Sequence, residues 1–268
     1  MPEHIPLNEG RHLFGLNPEG YADARPDYPM WIFDHLRTCS ALVDGTRTLE
    51  IGAGTGKATR HLLDYGANPL TIVEPDARFA ALLGTVADAS PATCRVIYDS
   101  FEDVVLADHQ FDLIAAATAF HWIEPTAGLR KIKRLLRRDG VVALFWNVLG
   151  DLDKEDPFHD ATQRVLAPLA VGPSEKPDAV PFALARGARQ AEAEAAGFTK
   201  TDYRESRWSF VLNTDAVGKL YESFSHIQRL DADSRAKLLD ELMTIADTQF
   251  NGRVVRNITS CLYVFAER

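Results

Sequence analysis

Cysteine is scarce in this chain: Cys39, Cys94 and Cys261 lie far apart among 268 residues. No C-x-x-C pair occurs, so the three read as reduced thiols, not as a disulfide framework. No histidine pair stands at metal-ligand spacing and no Cys/His cluster exists, so no metal is expected. Serine-nucleophile logic fares no better, for there is no elbow motif. Long apolar runs are also missing. A stretch such as Leu113 to Phe120 falls far short of the roughly 20 residues that a membrane helix needs, so no membrane partner is expected. The opening Met1-Pro2-Glu3-His4 has no basic segment leading into an apolar one, so a secretory signal is not expected and a cytoplasmic location is. Positive charge is the minority sign. Lysine and arginine number 29 against 38 aspartates and glutamates, a net charge of −9 that argues against a general binder of nucleic acid or of anionic lipid. Repeats and low-complexity tracts are absent.

What is present is ordinary for a globular chain, with 46% hydrophobic and 25% charged residues. The length suits one large domain, or one domain with sizeable insertions. Residues 29–43 open with Pro29 and space Ile32, Phe33, Leu36 and Cys39 helically. A short apolar strand, Thr48 to Ile51, then runs into glycines, and a helix over 57–65 stops at Gly66. The alternation repeats: strand 70–73, helix 76–87, strands 95–98 and 111–116, helix 125–138 with Gly140 after it, strand 141–146. Continuous apolar strands separated by helices predict an α/β fold, a doubly wound and mostly parallel sheet covered on both faces. After Asn147 the rhythm breaks. Residues 150–182 hold prolines 157, 168, 173, 177 and 181 and suit a covering segment. A helix over 186–196, a strand over 201–211, helices near 214–228 and 232–249 (the latter capped by Asp231 or Asp233) and a last strand from Cys261 to Phe265 complete the pattern.

Gly52, Gly54 and Gly56 alternate directly between a strand and a helix. Such a loop turns backbone amides and a helix N-terminus toward a ligand, with no side chains in the way. Its spacing separates the ligand classes. A dinucleotide fingerprint, G-x-G-x-x-G, counted from Gly52 requires glycine where Lys57 stands, and counted from Gly54 requires it at Thr59. A P-loop requires glycine where Ile51 stands and Ser or Thr where Ala58 stands. Both fail. What remains, Glu50-Ile51-Gly52-Ala53-Gly54-Thr55-Gly56, resembles the first motif of class I S-adenosylmethionine-dependent methyltransferases. Companions follow in order: Glu74 at the end of the second strand, Asp99-Ser100-Phe101-Glu102 after the third, and Phe111-Asp112-Leu113-Ile114 opening the fourth. Tyr21-Ala22-Asp23-Ala24-Arg25-Pro26-Asp27-Tyr28-Pro29 and Ala119-Phe120-His121-Trp122 resemble the branch with trans-aconitate and ubiquinone-type small-molecule methyltransferases. The likeness is good over residues 14–147.

This resemblance implies a Rossmann-like sheet of seven strands with the last antiparallel, and helical lid insertions in the C-terminal half. It divides a single methyltransferase domain, 1–268, into an N-terminal helical cap (1–43), a cofactor-binding core (44–147) and a substrate-covering half (148–268). The implied cofactor is S-adenosylmethionine. Tyr21, Arg25, Glu50, Gly52, Ala53, Gly54 and Gly56 fall to its amino-acid end, Glu74 and Pro75 to the ribose. Ser100, Phe101 and Glu102 fall to the adenine, with Ala117 and Thr118 alongside. Many relatives place an aspartate where Ser100 stands, so Asp99 or Glu102 are alternatives for the adenine contact. Arg25 suits a carboxylate because a guanidinium matches it as a fork; an ordinary surface ion pair is the alternative. Glu50 could instead cap the helix behind the loop. His121, Trp122 and Trp146 stand at strand ends, where open α/β sheets bind ligands, and are the substrate candidates. His121 is a general-base candidate, against a role that only shapes the pocket. Trp146 faces substrate or fills core. If the acceptor is an acid, one of Arg207, Arg229, Arg253 and Arg256 should face the pocket. The basic run Arg130, Lys131, Lys133, Arg134, Arg137 and Arg138 reads as a solvated helix face.

The expected reaction is methyl transfer to a small molecule at oxygen, carboxylate or hydroxyl, by a monomer or homodimer that does not act on nucleic acid. A non-catalytic cofactor-binding regulator and a nicotinamide oxidoreductase are the alternatives.

Overall fold

The computed structural model describes residues 13–169 and 180–267. The start of the cap, with Met1 to His4, and the part of the proline-rich stretch holding Pro173 and Pro177 lie outside them.

The strands are β1 (Thr46–Ile51), β2 (Ala67–Val73), β3 (Cys94–Ile97), β4 (Phe111–Ala117), β5 (Leu136–Leu149), β6 (Lys200–Leu212) and β7 (Val254–Ala266). They form a seven-stranded sheet in the order β3-β2-β1-β4-β5-β7-β6, with β7 antiparallel to both neighbours and β1 to β5 parallel. Parallel strands covered on both faces need apolar residues in succession. β4 meets the requirement: Leu113, Ile114, Ala115 and Ala116 are each 0% exposed.

Helices α1 (Pro18–Ala24), α2 (Trp31–Thr38), α3 (Lys57–Asp64), α4 (Ala80–Asp88), α5 (Pro125–Leu135), α6 (Pro157–Leu166), α7 (Arg186–Ala195), α8 (Thr214–Glu222), α9 (Ser225–Gln228) and α10 (Ala232–Phe250) surround it. On one face Phe33 and Leu36 of α2 and Leu62 of α3 pack on Leu70, Leu113 and Phe145. On the other, Leu129 and Ile132 of α5 and Ala193 of α7 pack on Leu49, Ile114 and Tyr263. Each such leucine, isoleucine or phenylalanine, fully buried, contributes about 1.5–3 kcal/mol. A third cluster joins Phe158 of α6, Leu220 and Tyr221 of α8, and Leu242 and Ile245 of α10.

Winding outward from β1, the chain fills one side with β2 and β3, then crosses back to β4 and β5. The strand order therefore reverses between β1 and β4, the point where open sheets leave a crevice at their carboxyl edge. α8 to α10 are inserted between β6 and β7 at that same edge, since Leu212 pairs with Val254 and Leu149 with Ile258. α1 packs against α8 and closes the crevice from the N-terminal side.

Several boundaries differ from the sequence reading: the helix expected over 29–43 ends at Thr38, and the strand expected over 141–146 runs from Leu136 to Leu149. The helix expected over 125–138 ends at Leu135, because Leu136 pairs with Phe111 and Arg137 binds Asp112 at 3.0 Å; Gly140 lies inside β5. The helix expected over 214–228 breaks at Ser223–Phe224, where Phe224 is extended (ψ 137°). The last strand starts at Val254, not Cys261. Its first half hides buried polar residues, Arg256, Asn257, Thr259 and Ser260, which the apolar pattern could not reveal. Of the two candidate caps, Asp231 accepts from Ser234 N at 2.9 Å. Within the basic run Lys131 and Lys133 donate to backbone carbonyls and Arg134 pairs with Asp108 at 3.0 Å, while Arg130, Arg134, Arg137 and Arg138 are exposed, as a solvated face requires.

Candidate active site

β1 ends in a loop in which Gly52, Gly54 and Gly56 have φ of 69°, 54° and 81°, a left-handed backbone that side chains disfavour. Gly52 N donates to Val73 O (2.8 Å), tying the loop to β2. A Cβ on Gly52 would stand 2.6 Å from the Ala119 Cβ; one on Gly54 would meet no heavy atom within 4 Å. Gly52 is thus glycine to admit Ala119, whereas Gly54 faces open space.

That space is a cavity of about 540 Å³ at the β1/β4 crevice. It gathers most of the residues singled out in the sequence: Tyr21, Arg25, Gly52, Ala53, Gly54, Glu74, Pro75, Phe101, Glu102, Ala117, Thr118, His121, Trp122 and Trp146 all line it. Glu50, Gly56 and Ser100 do not. Glu50 is buried beneath the loop, where its Oε2 accepts from Thr59 Oγ1 (2.7 Å) and its Oε1 has no partner. Gly56 abuts Val86 and Leu83 of α4, and Ser100 turns its hydroxyl to Asp103 Oδ2 (2.7 Å).

At the β2 end, Glu74 accepts from Gly54 N through Oε2 (2.8 Å) and from Asp76 N through Oε1 (2.9 Å). Burial nonetheless pushes its carboxyl up to about 7. Burial, with the charge of Glu74 adding to it, does the same to Glu50, also about 7. Across the crevice Thr118 (φ 50°) donates its N–H to Phe145 O and takes the Tyr28 hydroxyl on its Oγ1 at 2.9 Å.

The far end is aromatic. His121 and Trp122 lie on a single 3-10 turn after β4, their ring centroids 5.1 Å apart, and Phe182 stands 6.0 Å from Trp146 and 6.4 Å from His121. Trp146 Nε1 donates to His121 Nδ1 at 3.2 Å. The roof comes from α1 and α9. Arg25, just past α1, donates to Ser223 O (3.2 Å), and its guanidinium lies 4.3 Å from the Phe224 ring, while its Nε is buried without a hydrogen-bond partner. His226 stacks on Phe224 at 5.4 Å. Burial, joined by the charge of Arg25, pulls both His121 and His226 down to about 4, so both imidazoles are neutral at pH 7.

The comparisons with known proteins agree with this geometry. Residues 49–144 match the family model described as a methyltransferase domain. An uncharacterized methyltransferase-like protein of Schizosaccharomyces pombe is 30% identical over 92% of this chain and 90% of its own. This chain belongs to the class I S-adenosylmethionine-dependent methyltransferases. Solved structures share the fold of this methyltransferase at lower identity. A methyltransferase from Thiobacillus denitrificans, in complex with S-adenosylhomocysteine, aligns with TM-score 0.52 at 15% identity, covering 90% of this chain and 93% of the other. The [4+2]-cyclase SpnF aligns with TM-score 0.58 at 14% identity, covering 97% of each chain. The cyclase shows that the fold alone does not choose the reaction.

The cavity of this methyltransferase fits its cofactor, S-adenosylmethionine. The Gly54 wall is open, Glu74 keeps lone pairs beyond its two backbone bonds, and the Arg25 Nε lacks an acceptor. Sequence reasoning missed Tyr28, Lys57, Phe182, Phe224 and His226, which also line the cavity. Lys57 follows the last loop glycine and was legible as a cation at a helix start. Phe224 and His226 sit beyond the unforeseen break after α8 and had no signal. None of Arg207, Arg229, Arg253 and Arg256 lines the cavity, contrary to the expectation for an acidic acceptor. Arg207 is held on the surface by Asp153, Asp151 and Glu205, and Arg256 is buried against Asp156 (3.0 Å) and the Tyr221 hydroxyl. Among the described residues the arginine on the cavity is Arg25. Among the described residues no helix is long and apolar enough to cross a membrane.

Proposed function

We propose that this methyltransferase moves a methyl group onto an oxygen atom of a small molecule held against His121, Trp122, Trp146 and Phe182. The observation that carries the reading is the continuity of one cavity, from the glycine loop and Glu74 at one end to these aromatic rings at the other. A cavity of that size suits a cofactor plus a small acceptor. When bound, the cofactor supplies a methyl group already activated on a sulfonium. What this chain must do is align and exclude water. The loop amides and Arg25 hold the amino-acid end of the cofactor, Glu74 the ribose, and Phe101 and Glu102 the adenine. The aromatic wall takes the apolar body of the acceptor, and α8 to α10 cover it. Incubation with methyl-labelled S-adenosylmethionine and a small-molecule extract, followed by mild base, tests this. Label in a small product supports the reading, and its release by base identifies an ester. Tight cofactor binding with no label in any product would sink it in favour of a regulatory module.

Arg25→Ala is expected to weaken S-adenosylmethionine binding about 10–100-fold by calorimetry, since hydrogen bonds to charged groups contribute about 1.5–3 kcal/mol. Lysine at that position recovers only part, because an ammonium cannot form the fork. Unchanged affinity in Arg25→Ala would remove this residue from the cofactor site.

Cofactor affinity should also depend on pH. Ribose hydroxyls donate more strongly to an ionised Glu74 carboxylate than to the neutral acid, so binding favours the deprotonated form of a group that stands at about 7. Affinity therefore rises as pH increases from 6 to 8, with proton release, and falls below 7. Glu74→Gln binds weakly at every pH and loses the slope. A slope retained in Glu74→Gln would assign the proton elsewhere, Glu50 being the other raised carboxyl.

A further inference from the structure

We infer that Trp146 and His121 form a fixed donor pair: the indole holds the imidazole in the tautomer with its proton on Nε2, and that N–H grips the acceptor oxygen instead of taking a proton from it. This rests on the methyl-transfer reading above. An indole nitrogen can only donate, so the Trp146 Nε1–H to His121 Nδ1 bond, at 3.2 Å, requires a lone pair on Nδ1. In a neutral ring the hydrogen is then on Nε2. The ring is neutral because it is buried and because the charge of Arg25 opposes a second proton. The Nε2 has no hydrogen-bond partner among the described residues, and His121 lines the cavity.

Trp146 is not free to turn away. Its position on β5 is paired with Cys261 of β7, and its ring meets that of Tyr263 edge-on at 6.1 Å. Tyr263 is in turn anchored by its hydroxyl on Ala183 O at 2.8 Å. For His121 to act as a base through Nε2, its hydrogen would have to move to Nδ1 and face the Trp146 N–H. Two donors would then oppose each other inside the protein, each without an acceptor. The pair thus selects an acceptor oxygen that arrives already ionised, and the aromatic wall selects an apolar or aromatic body. A carboxylate meets both conditions. One of its oxygen lone pairs forms the new O–C bond, the C–S bond breaks with its electron pair staying on sulfur, and no proton moves. The other carboxylate oxygen keeps the His121 hydrogen bond. Trp146 acts in this as a positioning residue.

Two measurements test the pair. Nitrogen-15 NMR of histidine-labelled protein at pH 7, with His121→Gln for assignment, should show His121 protonated on Nε2 alone, and Trp146→Phe should convert this to a tautomer mixture. A proton on Nδ1, or on both nitrogens, overturns the inference. Labelled methyl transfer to benzoate, phenylacetate, cinnamate and the matched phenols gives the second readout. The carboxylates should take up base-labile label, and the phenols should not. His121→Gln, whose amide donates but cannot act as a base, should stay within about 10-fold of wild type in kcat/KM, and His121→Ala should lose about 10–100-fold. At saturating S-adenosylmethionine, where the pH dependence of cofactor binding drops out, the wild-type rate should not climb between pH 6 and 9. Label in phenols alone, or glutamine as inactive as alanine with a rate that climbs with pH, would overturn it. Cofactor calorimetry on each variant separates a local loss from misfolding. If wild type labels no member of the panel, the methyl-transfer reading fails for these acceptors, and the NMR result alone decides the tautomer.

Discussion

Gly54→Ala should leave the protein folded and remove at least about 99% of its affinity for S-adenosylmethionine, a loss of about 2.7 kcal/mol or more. At φ 54° an alanine pays a left-handed backbone cost of about 1–2 kcal/mol, which a chain of this size tolerates. Its methyl group meets no protein atom within 4 Å, so nothing inside the fold has to move. The methyl would project into the cavity, at the wall proposed to seat the cofactor. Gly52→Ala is the control of opposite kind. There the added carbon stands 2.6 Å from the Ala119 Cβ, so stability falls first and binding follows from it. Urea denaturation and calorimetry on both variants separate the cases. Gly54→Ala binding within 10-fold of wild type would mean that the open wall is not the cofactor's seat.

The largest expected loss of stability belongs to Arg256→Ala, about 3–5 kcal/mol. Arg256 is 4% exposed, and its Nε donates to Asp156 at 3.0 Å while Nη1 donates to the Tyr221 hydroxyl. One side chain on β7 thus fixes α8 through Tyr221 and α6 through Asp156, which caps that helix on His159 N at 3.0 Å. Removing the guanidinium strands a buried carboxylate, and that penalty dominates. Arg256→Met combined with Asp156→Asn should recover part of the loss, because asparagine still caps α6 and no charge is left alone. An Arg256→Ala midpoint shift equivalent to under 1 kcal/mol would contradict this account. Cofactor binding at the glycine loop should survive in the folded fraction, since the damage lies in the covering helices.

The parallel half of the fold was legible in the sequence because its strands bury both faces, and continuous apolar runs such as Leu113 to Ala117 advertise that directly. The glycine loop was legible through its spacing, and the family resemblance that it carries pointed to Glu74 and Phe101 beside it. His121, Trp122 and Trp146 could be grouped because each follows a strand or lies near a strand's carboxyl end at one sheet edge. The rest depended on contacts distant in sequence. Leu136 leaves the helical pattern of α5 because Phe111 is waiting for it, and no local periodicity records that. β7 reads as only half a strand because Arg256, Asn257, Thr259 and Ser260 are polar yet buried under partners that come from β5, β6 and α6. The choice among arginines failed for the same reason. Position in the C-terminal half says that a residue belongs to the covering layer, but whether it faces the cavity or a buried Asp156 is decided by packing. Phe224 and His226 reach the cavity only because α8 breaks before them.

The most direct test of the whole arrangement is a crystal structure of the protein soaked with S-adenosylhomocysteine. The account predicts a ligand lying along the Gly52–Gly56 loop, its ribose on Glu74, its adenine against Phe101, its carboxylate on Arg25 and its sulfur turned toward the His121–Trp146 pair. A ligand bound outside this cavity, or bound in reverse with its carboxylate against Phe101, would contradict it.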